Sequence, residues 1–410
     1  MEIAVQMLTN ERRSGLNLMA RWLHSVSDDV RILKPGGIHL NIEYSPTSIT
    51  FSIHYFTSNT LRTPYTVSVS STTITSIIQI IETSKARKVN MSQFSATTSG
   101  AEVVAAFPDK VEGKAFVITG PTAGSLGAQT ALFLAAGKPS TILLLGRTTS
   151  KVSSVISEIQ ALSPSTKVQF IPLDLTRFES IRAAALTINN TVSKIDVLIN
   201  NAGIMGVTEY TLTPEGIESQ FGANHIGHFL LTNLLMPKLE AAGNGARIIN
   251  LSSSGHQLGE LRLDDYNFDN GKTYDPWAAY GQSKTANILF TVSLAEKLAL
   301  RGILAFAVHP GSIAETNLGT HVEMGMWGHV SQAFVDRGFP NPMMSPLKSL
   351  AAGTSSTLYA ALDPSLQVEN SGSYIADAAI TETPDYAHSP AIAEKLWVLS
   401  EKIVGEKFQL

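Results

Sequence analysis

The sequence predicts an α/β protein, a doubly wound parallel sheet flanked by helices, built as a single domain behind an N-terminal extension. Three observations carry this. From about residue 114 onward, short apolar runs of strand length alternate with longer helical patterns, which argues for parallel βαβ units covered on both faces. A glycine-rich turn, Thr119-Gly120-Pro121-Thr122-Ala123-Gly124-Ser125-Leu126-Gly127, follows the first run. The residues with chemical character fall just after the runs, and sheets of this kind bind ligands beyond the carboxyl ends of their strands.

The expected strands are 115–119, 141–145, 168–173, 197–200, 246–251 and 304–309. Each is dominated by apolar residues, as strands buried on both faces require. Between them, helices are expected at 128–136, 151–162, 178–192, 217–239 and 279–300. The crossovers joining such strands are right-handed. No internal repeat or heptad array interrupts this rhythm.

Residues 1–90 have a different character, rich in Ser and Thr and slightly basic, without a chemical motif. The run from Tyr65 to Ile81 has strand-forming composition but neither clear alternation nor turn punctuation. Two readings compete: a real extension, disordered or regulatory, or a mis-assigned start with Met91 the true one. The second is preferred, because residues 91–410 carry a complete enzyme domain without the first 90.

Composition narrows the function. The chain has 410 residues, 44% hydrophobic and 16% charged, with no cysteine. Disulfides, thiolate metal sites and a cysteine nucleophile are therefore excluded. A net charge of -4 without a basic run argues against nucleic-acid binding. No stretch approaches the roughly 20 apolar residues of a transmembrane helix. Glu2, Glu11, Asp28 and Asp29 in the first 30 residues speak against an organellar signal, so a cytoplasmic location is expected.

The motifs follow the strands in order. Gly120, Gly124 and Gly127 allow a tight turn and close approach of backbone to a pyrophosphate, with the following helix N-terminus supplying amide donors. The second strand ends Leu145-Gly146-Arg147, where an NAD site usually carries an acid; an arginine suits a 2′-phosphate. NADP (NADPH) is therefore preferred to NAD. Asp174, with Leu175 after it, suits either contact with adenine or the cap of the next helix. Asn200-Asn201-Ala202-Gly203 gives a turn whose small residues let a cofactor pass. Tyr280 and Lys284 share a helix face at i and i+4. A phenol normally ionises near pH 10, and a cation beside it is expected to lower that value toward useful proton transfer. Ser253 follows the fifth strand, and Pro310-Gly311 the sixth.

Taken together, these elements resemble the short-chain dehydrogenase/reductase family, over about residues 111–379. Asn224 within Asn224-His225-Ile226-Gly227-His228-Phe229 joins the matching set. The stretches from Asn224 to Thr232 and from Pro276 to Lys284, and the long insert after Ser253, look most like the retinol-dehydrogenase-like branch; the segment opening at Met91 looks like fungal members. The resemblance implies a Rossmann-type fold and hydride transfer with NAD(P). It implies that Tyr280 is the general acid/base, that Lys284 lowers its pKa and holds the nicotinamide ribose, that Ser253 orients the substrate oxygen, and that Asn224 holds a proton-relaying water. Gly120, Gly124, Leu126, Gly127, Arg147, Asp174, Leu175, Asn201, Ala202 and Gly203 would line the cofactor, and Pro310, Gly311, Ile313 and Thr316 its nicotinamide and diphosphate. Two departures stand out: the last glycine of the first turn comes one residue late, at Gly127, and so does Thr316 after Pro310-Gly311.

Other signals are weaker. His225 and His228 lie three apart, but such pairs usually pack, so no metal is expected. The acidic run 264–275 lacks the glycine position and the final Glu of a calcium loop. The expected partner is a small carbonyl or alcohol. A non-catalytic NADP-binding sensor or scaffold is the alternative, against which the complete Asn224, Ser253, Tyr280, Lys284 set argues. Specificity is expected from residues 312–347, whose Met324, Met326, Trp327, Phe334, Phe339, Met343 and Met344 suit an apolar lid or a helical cover packed on the core. The two long helices, 217–239 and 279–300, offer faces for a homo-oligomer.

Overall fold

The structure is a computed structural model; it describes residues 93–313, 315–341 and 346–410 (Met324 by its backbone alone) and the backbone of four strands between residues 38 and 70. The chain divides into two compact units, Met1–Met91 and Ser92–Leu410.

In the first unit, β1 (Ile38–Ser45), β2 (Ser48–Thr57), β3 (Thr60–Leu61) and β4 (Tyr65–Ser70) form an antiparallel sheet in which β2 pairs with the other three. The register sets Leu40 opposite Ile53, Ile42 opposite Phe51, and Phe51 opposite Val67. The period-2 alternation that specifies such strands thus lies at 38–55, upstream of the run that composition singles out. Of that run, β4 takes the first six residues, and the remainder lies outside the described residues.

The second unit is the expected doubly wound sheet. Its strands are β5 (Ala115–Thr119), β6 (Thr141–Gly146), β7 (Lys167–Pro172), β8 (Val197–Asn200), β9 (Arg247–Leu251), β10 (Leu304–His309), β11 (Tyr374–Ala376) and β12 (Ala379–Thr381). They lie in the order β7-β6-β5-β8-β9-β10-β11-β12, parallel throughout except for the final β11–β12 hairpin. The chain runs outward from β5 to β7 and then returns to β8 on the other side of β5. That reversal opens a crevice at the carboxyl ends of β5 and β8, the natural ligand site of such a sheet.

Helices cover both faces. One face carries α1 (Gly100–Ala106), α2 (Leu126–Ala136), α3 (Ser153–Leu162) and α9 (Ser355–Leu362), packed through Val104, Leu134, Ile159 and Leu358. The other carries α4 (Phe178–Thr191), α5 (Gly227–Glu240), α6 (Pro276–Leu298) and α11 (Pro390–Val404), packed through Ile188, Phe229, Leu289 and Trp397. Between β10 and β11 lie α7 (Met324–Asp336) and α8 (Leu350–Gly353), and α10 (Asp385–His388) precedes α11. No helix among the described residues is long and apolar enough to cross a membrane.

Two differences from the sequence expectation have physical causes. The helix expected over 217–239 is not continuous: a single turn, Ser219–Phe221, leads into a π-turn, Gly222–Ile226, and only then into α5. Glu218 caps the first turn, accepting from the amides of Gln220 and Phe221 at 2.8 Å each. The π-turn widens the backbone where Gly227 meets Leu175; a Cβ there would stand 2.4 Å from the Leu175 carbonyl oxygen. The second difference concerns α6. It is buried almost without a break from Ala279 to Leu294, because the chain's own C-terminal helix lies on it, with Lys297 paired to Glu394 and set 4.8 Å from the Trp397 ring. The part of α6 that meets α11 is thus covered from within the chain.

Candidate active site

The site is assembled at the crevice, beginning with the first turn. Gly120 and Gly124 hold φ of +72° and +75°, where residues with a Cβ are strained. Ser125 caps α2, accepting from the Ala128 amide at 3.2 Å and donating to the Gly120 carbonyl at 3.0 Å. Gly127 then makes the close contact: a Cβ there would lie 2.6 Å from Asn201 Nδ2 and 2.7 Å from the Gly120 oxygen. The extra residue is therefore absorbed between Gly120 and Ser125, where the Ala123 amide bonds the Lys151 carbonyl at 3.0 Å. The late glycine keeps the tight helix approach.

The turn after β8 is pinned to the first. Asn201 Nδ2 donates to the Thr119 carbonyl at 2.8 Å, and the Ala202 amide to Thr119 Oγ1 at 2.9 Å. Thr119 Oγ1 also meets His228 Nε2 at 2.9 Å, and His228 Nδ1 reaches the Asn224 carbonyl at 3.0 Å. His225 bonds Ser400 Oγ at 3.0 Å. The two histidines are thus anchors of separate elements, and burial holds their pKa values at about 4 for His228 and about 3 for His225. They stay neutral at physiological pH.

Asn224 sits in the π-turn. Its amide donates to the Ile204 carbonyl and to Ser283 Oγ, both at 2.9 Å, and its oxygen accepts from the Ile204 amide at 2.8 Å. With its side chain engaged this way, Asn224 braces the loop that follows Gly203. A Cβ on Gly203 would lie 3.2 Å from Asn224 Oδ1 and 3.4 Å from Lys284 Nζ. Both groups therefore converge on the backbone of the β8 turn.

On α6, Tyr280 and Lys284 are both buried, with Lys284 Nζ 5.5 Å from the Tyr280 ring centre. Lys284 donates to the Leu251 carbonyl at 3.1 Å. Ser253 Oγ accepts from the Gly255 amide at 3.0 Å, and Gly255 stands between it and the Tyr280 ring: a Cβ there would lie 2.6 Å from Tyr280 Cε1 and 3.3 Å from Ser253 Oγ. Burial pushes the Tyr280 phenol up to about 12, against the opposing pull of Ser253. Burial also brings Lys284 down to about 8. The lowering expected from the cation does not appear here: desolvation of the phenolate is the largest cause of the Tyr280 shift.

The remaining sequence candidates divide. Arg147 and Lys151, with Thr122, Gly146, Thr148 and Val152, line a cavity of about 360 Å³. Neither cation is ion-paired among the described residues. Asp174 Oδ1 accepts from the Thr176 amide at 3.0 Å and its hydroxyl at 2.7 Å. It builds a local turn and does not cap α4, whose first amide is taken by Glu215 at 2.8 Å. Leu175 is core. Pro310-Gly311 is tied to the Ser253 loop through His309, whose Nδ1 accepts from the Ser254 amide at 3.3 Å and the Gly311 amide at 3.4 Å. Ile313 packs with Leu126 around Gly353, while Thr316 opens the turn Asn317–Gly319.

Residues 315–341 cover this edge. Met326, Trp327, Val330, Phe334 and Phe339 pack with Met205, Leu258 and Trp277, and Trp277 stands one turn before Tyr280. Met343, Met344 and the Met324 side chain lie outside the described residues. In the acidic insert Asp265 is paired to Arg262, Asp269 to Lys272, and Asp275 caps α6, while Asn267 ties the insert to Gly216 and Glu218. Sequence reasoning took His228 as a packing histidine without seeing which elements it ties, and missed His309 and the π-turn, since long-range hydrogen bonds and backbone irregularities do not register in periodicity.

A family model described as short chain dehydrogenase matches residues 114–267. Mouse retinol dehydrogenase 12 is 36% identical over 301 residues, 73% of this chain and 89% of its own length. For human retinol dehydrogenase 13 the identity is 37% over 300 residues, 72% of this chain and 86% of the relative. The Fusarium equiseti oxidoreductase fscI is 35% identical over 243 residues, 53% of this chain and 94% of the relative. The chain belongs to the short-chain dehydrogenase/reductase family. A solved structure of an uncharacterised protein from Mycobacterium paratuberculosis is also similar, at 34% identity and a TM-score of 0.57, covering 75% of this chain and 98% of that one. As a member, the protein is an oxidoreductase of alcohol and carbonyl groups, and its family binds NAD(P).

The two kinds of glycine in the first turn separate by mutation. Gly127→Ala should cost ~1–3 kcal/mol through forced overpacking. Gly124→Ala, with nothing within 4 Å of the added carbon, should cost about 1 kcal/mol from its positive φ alone. Urea unfolding of the two variants measures both.

Proposed function

We propose that this protein reduces a carbonyl on a small apolar substrate with NADPH, and oxidises the alcohol in reverse. The observation that carries the reading is that Tyr280 has Ser253 across Gly255 on one side and the Lys284 ammonium 5.5 Å from its ring centre, with that ammonium set against Gly203 of the β8 turn. Bound NADPH would supply the hydride. Its adenosine end fits the cavity of Arg147 and Lys151, where two cations and the hydroxyls of Thr122 and Thr148 suit a 2′-phosphate, and no acid lines it. The glycine turns and Asn201–Gly203 give the close backbone approach that a dinucleotide requires.

The chain's own groups then do the acid–base work. A phenol held near 12 keeps its proton through the neutral range, so Tyr280 is poised as a general acid that protonates the carbonyl oxygen as charge develops on it. Ser253 Oγ orients the same oxygen. Lys284, at about 8, remains mostly cationic near pH 7 and favours the phenolate that Tyr280 leaves behind. The apolar cover of Met205, Trp277, Trp327 and Phe334 excludes water and suits an apolar substrate; the retinol dehydrogenases among the relatives point the same way. The arrangement of Ser253, Tyr280 and Lys284 favours turnover over a cofactor-sensing role.

Tyr280→Phe should lower kcat by roughly 10²-fold or more while leaving NADPH affinity within about twofold, since one hydroxyl is lost and no packing. Steady-state kinetics with fluorescence titration reads both. In the wild type, carbonyl reduction should stay flat from about pH 6 to 7, with the acid form of Tyr280 fully populated, and fall from about pH 8 upward as Lys284 loses its charge. Alcohol oxidation needs the phenolate, so the logarithm of its kcat/KM should climb with pH at a slope near one. Arg147→Ala should weaken NADPH binding roughly tenfold, the worth of one charge-assisted contact, and leave NADH binding nearly unchanged in the same titration.

A further inference from the structure

The segment covering the site leaves the sheet and returns to it at one place. Ile313 and Lys348 form a parallel bridge, the Lys348 amide bonds the Ser312 carbonyl at 2.8 Å, and Glu315 accepts from the Leu350 amide at 2.6 Å. The Lys348 side chain does not turn outward. It is 10% exposed, and its methylenes lie across Gly311, where a Cβ would stand 2.7 Å from Lys348 Cδ and 2.8 Å from Cε. Gly311 holds φ of +90°, so only glycine fits beneath the lysine. The ammonium at the end of this stem is buried and needs a countercharge. Asp377 supplies it, with its Oδ1 2.5 Å from Lys348 Nζ.

The backbone that presents Asp377 is unusual. Asp377 and Ala378 form the two-residue turn between β11 and β12, and both have positive φ, +52° and +55°. Such turns normally take glycine or asparagine, and strain of this kind persists where neighbouring contacts over-determine it. Here the Ala378 amide is held by Ser356 Oγ at 3.0 Å and Ala378 is fully buried. The turn that carries Asp377 is therefore held independently of the lysine, while the carboxylate itself stands half-exposed at the mouth of the Lys348 channel. On the other side of Gly311 stands His309, whose ring accepts from both Gly311 and Ser254 and whose protonation the Lys348 charge opposes.

We propose that Lys348 and Asp377 are a positioning pair, a latch that holds the returning end of the covering segment onto the Pro310-Gly311 turn and so fixes the substrate pocket relative to Tyr280. The proposal rests on the reading of that pocket as a carbonyl site. Neither residue touches the reacting atoms; both act through Gly311 and the cover.

Lys348→Met keeps the stem over Gly311 and removes only the charge. Asp377→Asn keeps a residue that tolerates positive φ and removes only the carboxylate. In the full chain, each variant should raise the KM for the carbonyl about fivefold, as expected for a partly screened ion pair, with NADPH affinity within about twofold of wild type. The double variant should be no worse than either single one, because both remove the same interaction. Hydrogen exchange across residues 315–341 should quicken in both variants while β5 to β10 exchange as before. Unchanged exchange in that segment, or a loss of NADPH affinity without a change in carbonyl KM, overturns the latch; the second result would make Lys348 a cofactor contact. If the wild type reduces no carbonyl yet both variants loosen 315–341, the latch stands and the carbonyl reading falls.

Discussion

The cofactor edge of this enzyme depends on one buried threonine. Thr119 ends the strand from which the sheet winds in both directions, and it is fully buried. Its hydroxyl accepts from the Ala202 amide and gives its proton to His228 Nε2, while its carbonyl accepts from Asn201. His228 carries the connection to the Asn224 carbonyl in the π-turn. One side chain thus locks three loops that have no sequence proximity: the glycine turn, the β8 turn and the π-turn. The assignment requires a neutral His228 with its proton on Nδ1, which burial enforces by keeping the ring near 4. In a dry site, a partly satisfied network of this kind would cost more than an apolar one, and this one is complete at Thr119.

The catalytic side of the crevice obeys a different balance. A second buried chain runs from Asn200 through Asn250 to Thr291, with bonds of 2.8 and 2.9 Å, and Asn287 joins Lys284 at the Leu251 carbonyl. These bonds fix the lysine without supplying a countercharge, so burial lowers its pKa. The same burial raises that of the tyrosine. The two shifts have opposite sign for one reason: each penalises the charged form. The resulting pair holds a protonated acid beside a lysine that is still mostly charged near neutrality, which suits reduction of a carbonyl without any ionisation beforehand.

The core of the fold was legible because β5, β6, β8, β9 and β10 are buried on both faces and read as short, mostly apolar runs. The placement of the candidate residues was legible wherever they lie within a few positions along the chain, as with Tyr280 and Lys284 on one helix or Asn201 to Gly203 in one turn. What escaped was of three kinds. The π-turn at 222–226 keeps helical composition, so periodicity extends a helix straight through it. The sign of the Tyr280 shift depends on how deeply its ring is buried, and the loop at Gly255, twenty-five residues upstream, lies against that ring. Lys348 and Asp377 meet only because the covering segment returns to its point of departure, and no local pattern marks either residue. The late Gly127 shows the converse: a departure in spacing that changes loop length yet preserves the contact it serves.

The account holds that hydride passes between the nicotinamide and a substrate carbon at the crevice beside Tyr280. The most direct measurement is isotopic: incubate the full chain with NADPH carrying deuterium at the nicotinamide C4 and a panel of apolar aldehydes and ketones, and examine the products by mass spectrometry. The account predicts an alcohol bearing deuterium on its carbinol carbon, from one C4 face only. A product alcohol without the label would contradict it, as would NADPH bound tightly with no carbonyl in the panel reduced.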